Sequence, residues 1–308
     1  MLIERPSAIT VHGLGLGGGE VVAEKLMTLY SGCLLIGHQA GQLAMLRNVI
    51  LTRSKGRLLC TAGPRDLPVL ILCLLLRKRA NVYLQVPYRQ SLTIQDFPHF
   101  TGTLLFLLAA SFLTKNILVN SGNTANSVLL RSSTLVLPIM RHQIPLPEAS
   151  FNNERDYFNQ ECLRLNIVCR LISERGRGSR DERAIGRLAR EVNDYRLHTG
   201  IPASIHHFGE CDVPMRQAIE SIAPNCISFH GFQRDWLLLS SGPLVFLSKY
   251  EGFGLAALEG AKAGRMVFVN EAFPDELLAL SLKLVRIRSC ENILQQILDA
   301  LTNYPRHK

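Results

Sequence analysis

The residues best suited to chemistry lie in one stretch, residues 248–264, which reads SKYEGFGLAALEGAKAG. It contains two carboxylates, Glu251 and Glu259, with seven residues between them. A strand-like apolar run, residues 244–247, precedes it, and a helical pattern begins behind Gly254. An acid before a helix start and an acid inside that helix can bracket one elongated ligand.

The start of this helix is a candidate anion site. Residues 252–255 include no Ser, Thr, Asp or Asn placed to cap the helix, so its first N–H groups need another acceptor. An anion fits, because the positive end of the helix dipole lies there. Gly252 and Gly254 lack Cβ atoms, so the backbone can approach a bulky ligand closely. These features suit a sugar diphosphate whose pyrophosphate rests on the helix N-terminus.

The run YEGFGLAALEGAKAG resembles the E-x7-E signature of the retaining glycosyltransferases of family 4, which have the GT-B fold. That resemblance implies an α/β chain of two Rossmann-like domains, whose parallel sheets face an interdomain cleft. It also implies that Glu251 contacts the donor sugar, that Glu259 contacts the ribose, and that Gly254 and Leu255 offer N–H groups to the phosphates. Phe253 is expected beside the donor. The alternative is an ordinary strand–loop–helix with solvated acids.

A basic motif opens the second half of the chain. A strand-like run, residues 165–169, is followed by Arg170-Leu-Ile-Ser-Glu-Arg175-Gly. This resembles the G-R-L-x-x-E-K-G of the same family, with Cys169 at its first glycine and Arg175 at its lysine. The resemblance implies that Arg170 and Arg175 clamp a leaving group of about two negative charges in a partly dehydrated cleft. A solvated basic loop is the alternative, because five more arginines follow within residues 177–190.

A glycine loop follows the first predicted strand. Residues 12–19 read HGLGLGGG and satisfy GxGxxG. A dinucleotide site would also need an acid about 20 residues on, at the end of the next strand. Residues 33–37 form that strand, and no acid follows them, which disfavours an NAD-dependent oxidoreductase. The loop instead resembles the family's G-G-x-E turn, which implies that Gly18 and Gly19 face the donor phosphates.

Strand-like and helical segments alternate along the chain, which predicts a parallel sheet with covered faces in each half. Prolines within residues 138–147 and the polar residues 151–160 mark a linker. We therefore expect an acceptor-binding domain over residues 1–148 and a nucleotide-sugar-binding domain over residues 149–308. In the family the last helix, here residues 291–301, crosses back to the first domain.

The sequence His230-Gly231-Phe232 resembles the segment that meets the nucleoside base in the family. Phe232 is then a stacking surface for the base, and the alternative is a core position. The loop of residues 85–90 lacks the histidine that many family members place near the donor sugar.

Charge and composition limit the partners. The net charge of +9 favours anionic ligands or an anionic membrane surface, whereas scattered basic residues without a nucleic-acid motif disfavour nucleic acid. Two apolar runs, residues 67–76 and 103–113, are shorter than the roughly 20 residues that span a bilayer. They predict buried helices, or one helix lying on a membrane beside Arg77, Lys78 and Arg79. Eight cysteines without a CxxC pair and no visible signal peptide predict a cytoplasmic protein. If one of the two helices lies on a membrane, we expect the protein to be peripheral to it.

The family resemblance implies a metal-independent retaining glycosyltransferase that moves a sugar from a nucleoside-diphosphate sugar, and we expect a saccharide or lipid-linked saccharide as its acceptor. No DxD or HExxH motif occurs, so we expect no metal and no cofactor. Cys169 and the missing histidine leave open a catalytically silent GT-B relative that binds sugar nucleotides or serves as a partner subunit. A glycosidase using Glu251 and Glu259 gives no role to Arg170 and Arg175.

Overall fold

The computed structural model describes residues 6–11, 26–27, 33–37, 41–51, 57–85, 97–114, 116–126, 128, 134–136, 162–171, 181–279, 281 and 283–303. The chain divides into two compact units, Met1–Ile144 and Pro145–Lys308. The predicted boundary at residue 148 lies close to this division. Each unit contains its own parallel sheet and its own core.

The first unit contains a six-stranded sheet in the order β2-β1-β3-β4-β5-β6, with every neighbouring pair parallel. Among the strand residues whose side chains are described, most are apolar and buried, as expected where helices cover both faces of a sheet. The strands are β1 (Pro6–Val11), β2 (Leu34–Gly37), β3 (Arg57–Cys60), β4 (Ala80–Leu84), β5 (Ile117–Val119) and β6 (Thr134–Val136). The described helices are α1 (Gln42–Leu51), α2 (Leu67–Leu75), α3 (Phe97–Leu113) and the single turn α4 (Gly122–Ala125).

A buried carboxylate joins the carboxyl ends of β1 and β3. Oδ2 of Asp66 accepts hydrogen bonds from the Thr10 hydroxyl at 2.9 Å and from the Ala62 N–H at 2.7 Å. The Thr61 N–H donates to the Thr10 hydroxyl oxygen at 3.1 Å. Asp66 is fully buried, so these donors offset the cost of removing its charge from water.

The second unit also contains a six-stranded parallel sheet, in the order β12-β11-β10-β7-β8-β9. Its strands are β7 (Leu163–Val168), β8 (Ala203–Phe208), β9 (Ile227–Phe229), β10 (Leu244–Phe246), β11 (Val267–Val269) and β12 (Leu284–Arg286). Its helices are α5 (Glu182–Thr199), α6 (Val213–Ile222), α7 (Trp236–Leu239), α8 (Leu255–Lys262), α9 (Asp275–Leu278) and α10 (Ile293–Asn303).

The strand order of the second sheet reverses between β7 and β10, which pair through Leu244 and Asn166. Connections leave these two strands toward opposite faces of the sheet, so a crevice opens beyond their carboxyl ends. Helix α8 packs tightly beside this point: a Cβ added to Gly260 would lie 2.1 Å from Cδ1 of Leu244. The strand order therefore brings the loops after Val168 and Phe246 to one edge of the sheet.

Among the helices of the described ranges, none combines the length and the apolar character needed to cross a bilayer. The two apolar runs singled out in the sequence form α2 and most of α3.

Candidate functional site

The turn between β10 and α8 is built around the carboxylate of Glu251. The N–H groups of Gly252 and Gly254 donate to Oε1 of Glu251 at 3.2 and 3.1 Å. The Ser248 hydroxyl donates to Oε2 at 3.4 Å. Glu251 is only half-buried, so its carboxylate stays within reach of solvent while it shapes the turn. Sequence reasoning gave this residue a ligand contact and missed this structural role.

Helix α8 begins as predicted, directly behind Gly254. Gly254 is the N-cap residue, with φ 67° and ψ 47°, and it has no side chain with which to cap the helix as Ser, Thr, Asp or Asn would. The first backbone bond of the helix runs from the Leu258 N–H to the Gly254 carbonyl at 3.0 Å. The N–H groups of the first turn, Leu255 included, therefore remain for a ligand or for water.

Two features favour glycine at position 254. The first is the positive φ, and the second is the close approach of the Phe273 ring. A Cβ on Gly254 would lie 2.2 Å from Cε2 of that ring. Phe253 is itself buried, at 6% exposure. One helical turn after Leu255 comes Glu259, which is half-buried and lies on the same side of α8.

Asn270 fixes the first residue of the turn after β10, and sequence reasoning missed it. Its Oδ1 accepts from the Ser248 N–H at 3.1 Å, and its Nδ2 donates to the Ser248 carbonyl at 2.7 Å. The side chain is 3% exposed and follows β11 directly. A lone Asn after a strand is a weak sequence signal, and its partner becomes evident only once β11 is placed beside β10.

Arg170, the predicted phosphate ligand after β7, forms an ion pair with Glu210 after β8. Nε of Arg170 lies 2.7 Å from Oε2 of Glu210, and the side chains are 64% and 59% exposed. Backbone bonds hold the two loops in register: the Leu171 N–H donates to the Glu210 carbonyl at 2.8 Å, and the Asp212 N–H donates to the Leu171 carbonyl at 3.0 Å. An exposed guanidinium on a fixed loop is available to an anion that replaces the carboxylate.

Another loop on this edge follows β9 and contains His230, Gly231 and Phe232. Phe232 is 47% exposed, so the alternative that places it in the core is wrong. The ring of His230 stacks on Phe208 at 4.7 Å and on His206 at 5.1 Å between centroids. The Gly209 N–H donates to the Gly231 carbonyl at 2.7 Å, which joins this loop to the one after β8.

Cys169, at the position of the family's glycine, contacts a buried histidine. Nε2 of His207 donates to the Cys169 carbonyl at 2.8 Å, and the same nitrogen lies 3.8 Å from Sγ. Nδ1 of His207 is buried and has no hydrogen-bond partner in the described part of the chain. Burial lowers the pKa of His207 to about 4, although the bond to the Cys169 carbonyl favours the charged form. His207 is therefore a neutral residue near neutral pH.

Three predicted site residues, Arg175, Gly18 and Gly19, lie outside the described residues. The structure brings the others to one edge of the second sheet: Arg170 after β7, Phe232 after β9, and Glu251 to Glu259 after β10. Within the described ranges, no group of three His, Cys, Asp or Glu side chains could hold a metal ion. Independence of metal stays a prediction.

Two Rossmann-like units with six-stranded parallel sheets define the class of fold, which is the GT-B fold, and the predicted pair of α/β domains is confirmed. The chain is similar to the Anabaena protein HepE, solved in complex with UDP-glucose, at a TM-score of 0.65 and 14% identity over 96% of this chain and 89% of that one.

Two further solved structures share the fold. An α,α-trehalose-phosphate synthase (UDP-forming) from Burkholderia vietnamiensis has a TM-score of 0.69 and 10% identity, over 98% of this chain and 92% of that one. WaaG, a glycosyltransferase involved in lipopolysaccharide biosynthesis, has a TM-score of 0.63 and 12% identity, over 95% and 90%. No protein-family model and no curated protein sequence matches the chain.

Proposed function

We propose that the protein is a retaining glycosyltransferase that transfers a sugar from a nucleoside-diphosphate sugar to a saccharide or lipid-linked saccharide, without a metal ion. One observation carries the proposal: the reversal of strand order between β7 and β10 gathers Arg170 and the uncapped start of α8 at one edge of the second sheet. A guanidinium and a helix N-terminus can together neutralise a diphosphate without a metal ion.

In this mechanism the diphosphate lies on the first turn of α8, where Leu255 presents its N–H group. The Gly254 N–H, which the sequence also assigned to the phosphates, donates to Glu251 instead. Arg170 and Arg175 stabilise the negative charge that develops on the leaving phosphate, which is where preorganised donors lower a barrier most. Glu259 contacts the ribose, and Glu251 contacts the donor sugar while it holds the turn of Gly254. The departing phosphate accepts the proton of the attacking hydroxyl on the same face, which retains the anomeric configuration.

The similar GT-B structures support a nucleotide-sugar donor, because HepE was solved with UDP and with UDP-glucose. The net charge of +9 supports an acceptor, or a surface beside it, that carries negative charge. We propose that the protein works at the cytoplasmic face of an anionic membrane.

The first test is a thermal-shift screen of the whole protein against UDP, GDP, ADP and dTDP sugars with a chelator present. We expect one nucleotide class to raise the melting temperature, and Arg170→Ala and Glu259→Ala to reduce that rise. Arg216→Ala, which removes an exposed arginine of α6, is the matched control. Turnover of a labelled donor, with the product's anomeric configuration read by NMR, then tests transfer and retention. Binding without turnover would favour the catalytically silent relative, and no binding would overturn the proposal.

A further inference from the structure

The net positive charge of the chain comes entirely from the first unit. Residues 1–144 contain fourteen Lys and Arg against five Asp and Glu, a formal charge of +9, whereas residues 145–308 contain twenty of each. The second unit is therefore neutral although it contains the candidate donor site. Long-range attraction to an anionic partner acts on the first unit.

Helices α1 and α2 of this unit are apolar on two opposite sides. One side packs into the core through Met45 and Val49 of α1 and through Val69, Leu70 and Cys73 of α2. The other side is exposed and consists of Leu43, Ile50 and Leu51 on α1 and Ile71, Leu74 and Leu75 on α2. A helix that is apolar all round is expected inside a core or in lipid, not in water.

The exposed sides of α1 and α2 enclose a groove with a volume of about 640 Å³. Its walls include Leu43, Leu46 and Ile50 from α1 and Leu67, Ile71 and Leu75 from α2. Leu43 is 84% exposed and Leu75 is 72% exposed. Contiguous apolar surface of this kind marks an interaction site on a soluble domain, because it is unfavourable in water.

The charged residues of this region are basic, and neither α1 nor α2 contains an Asp or Glu. Arg47 lines the groove, and Arg77 and Arg79 follow α2 directly and are exposed. Nζ of Lys78 donates to the carbonyls of Val49 at 2.6 Å and Ile50 at 3.2 Å, which ties the end of α2 to α1. Apolar side chains and Arg47 thus share the groove, and two further exposed arginines lie just beyond the end of α2, whose Leu75 lines it.

We propose that this α1–α2 surface, formed by the exposed apolar residues of both helices with Arg47, Arg77 and Arg79, docks on an anionic lipid bilayer. The leucines and isoleucines enter the boundary between headgroups and acyl chains, and the arginines bind lipid phosphates at the level of the headgroups. A second copy of the chain fits less well, because it would bring another unit of formal charge +9 against the first.

The α1–α2 surface would hold the enzyme near a lipid-linked acceptor. Only this purpose of the surface rests on the proposed function. Lipid binding itself involves neither Arg170 nor the start of α8. The two proposals can therefore fail separately.

The test is flotation of the full-length protein with vesicles at low salt. We expect binding to phosphatidylcholine vesicles that contain phosphatidylglycerol, and weak binding to phosphatidylcholine alone. Leu43→Gln and Leu75→Gln should each reduce partitioning by about tenfold, because each removes apolar area from the lipid contact. Arg47→Gln and Arg79→Gln should each reduce it by about fivefold. Leu197→Gln, at a 68% exposed leucine of α5, is the matched control and should change nothing.

Three results would overturn the docking proposal. The first is an absence of binding to the anionic vesicles, and the second is equal binding to both kinds of vesicle. The third is a dimeric wild-type protein that becomes a monomer in the double variant Leu43→Gln, Leu75→Gln while its lipid binding stays unchanged. The affinity for UDP, measured on the same variants, should stay unchanged. Vesicle binding by a protein that binds no sugar nucleotide would overturn the proposed function and leave the docking surface supported.

Discussion

Nε of Arg170 lies 2.7 Å from Oε2 of Glu210, and the two residues follow the adjacent strands β7 and β8. Because both side chains are more than half exposed, the pair contributes about 0–1 kcal/mol to stability. A diphosphate offers more negative charge and more acceptor oxygens than one carboxylate, so it can take the guanidinium from Glu210 at small cost. Glu210 then acts as a weak competitor of the ligand that Arg170 is proposed to bind.

Glu210→Gln should therefore tighten the binding of UDP, by roughly two- to fivefold at low salt, because the competing charge is removed. Isothermal titration calorimetry of the whole protein measures this affinity. The matched control is Glu220→Gln, which breaks an exposed pair of similar geometry on α6, where Nε of Arg216 lies 2.9 Å from Oε1 of Glu220. Weaker binding in Glu210→Gln, or an equal gain in both variants, would show that the pair with Arg170 does not compete with the ligand.

Glu251 has two separable roles, and two substitutions distinguish them. Glu251→Gln keeps an amide oxygen that can accept from the Gly252 and Gly254 N–H groups, whereas Glu251→Ala removes the acceptor altogether. We expect Glu251→Gln to fold normally and to lose most transferase activity, because the charge facing the donor sugar is lost. Glu251→Ala should also lower stability by about 1–2 kcal/mol, because the turn loses both hydrogen bonds.

Turnover of the labelled donor and the midpoint of thermal unfolding, measured on both variants, test this division. Full activity in Glu251→Gln would show that Glu251 only shapes the turn. A loss of stability in Glu251→Gln as large as in Glu251→Ala would show that the charge itself holds the turn.

The elements that the sequence predicts well are those bounded by local signals. The strand before residue 248 and the helix behind Gly254 follow from a short apolar run and a glycine turn. Helix α1 (Gln42–Leu51) was not predicted, because apolar residues stand on both of its sides and give no single stripe. The contact of Asn270 with Ser248 and the pair of Arg170 with Glu210 depend on the order of strands in the sheet. That order is set by long-range packing and has no local signature.

Gly254 is predicted to be irreplaceable for two reasons that a matched pair of variants separates. Gly254→Ala places a Cβ at φ 67°, 2.2 Å from the Phe273 ring. Gly200→Ala imposes the same left-handed conformation at φ 71°, with nothing within 4 Å of the new Cβ. Left-handed strain alone costs about 1 kcal/mol, whereas overpacking adds about 1–3 kcal/mol. Gly254→Ala should therefore destabilise the protein more than Gly200→Ala in denaturant unfolding.

The same pair of variants tests the place of the ligand. Gly254→Ala should also weaken UDP binding, because the start of α8 must shift to accommodate the new methyl group, and Gly200→Ala should leave the affinity unchanged. Equal destabilisation of the two variants would mean that Phe273 moves aside freely. An unchanged affinity in a folded Gly254→Ala protein would remove the start of α8 from the ligand site.

His206 and His207 predict that the protein loses stability in mild acid. The pKa of each residue is lowered to about 4, mainly by burial, and for His206 the neighbouring Arg164 and His230 contribute to this shift. In the unfolded chain a histidine has a pKa of about 6.5, so the unfolded state binds more protons between about pH 6.5 and pH 4. Stability should therefore be constant above this window and should fall as the pH decreases through it.

The thermal unfolding midpoint, measured from about pH 7.5 to about pH 4.5, tests this sign. His206→Phe removes one titrating group and keeps an aromatic ring to stack on His230, so its midpoint should fall less steeply with acid than that of the wild type. The control is His198→Gln, which replaces an exposed histidine of α5 and should keep the wild-type slope. A wild-type midpoint that stays level across this range would contradict the burial of two neutral histidines. Equal slopes in the wild type and His206→Phe would assign the acid sensitivity to other groups.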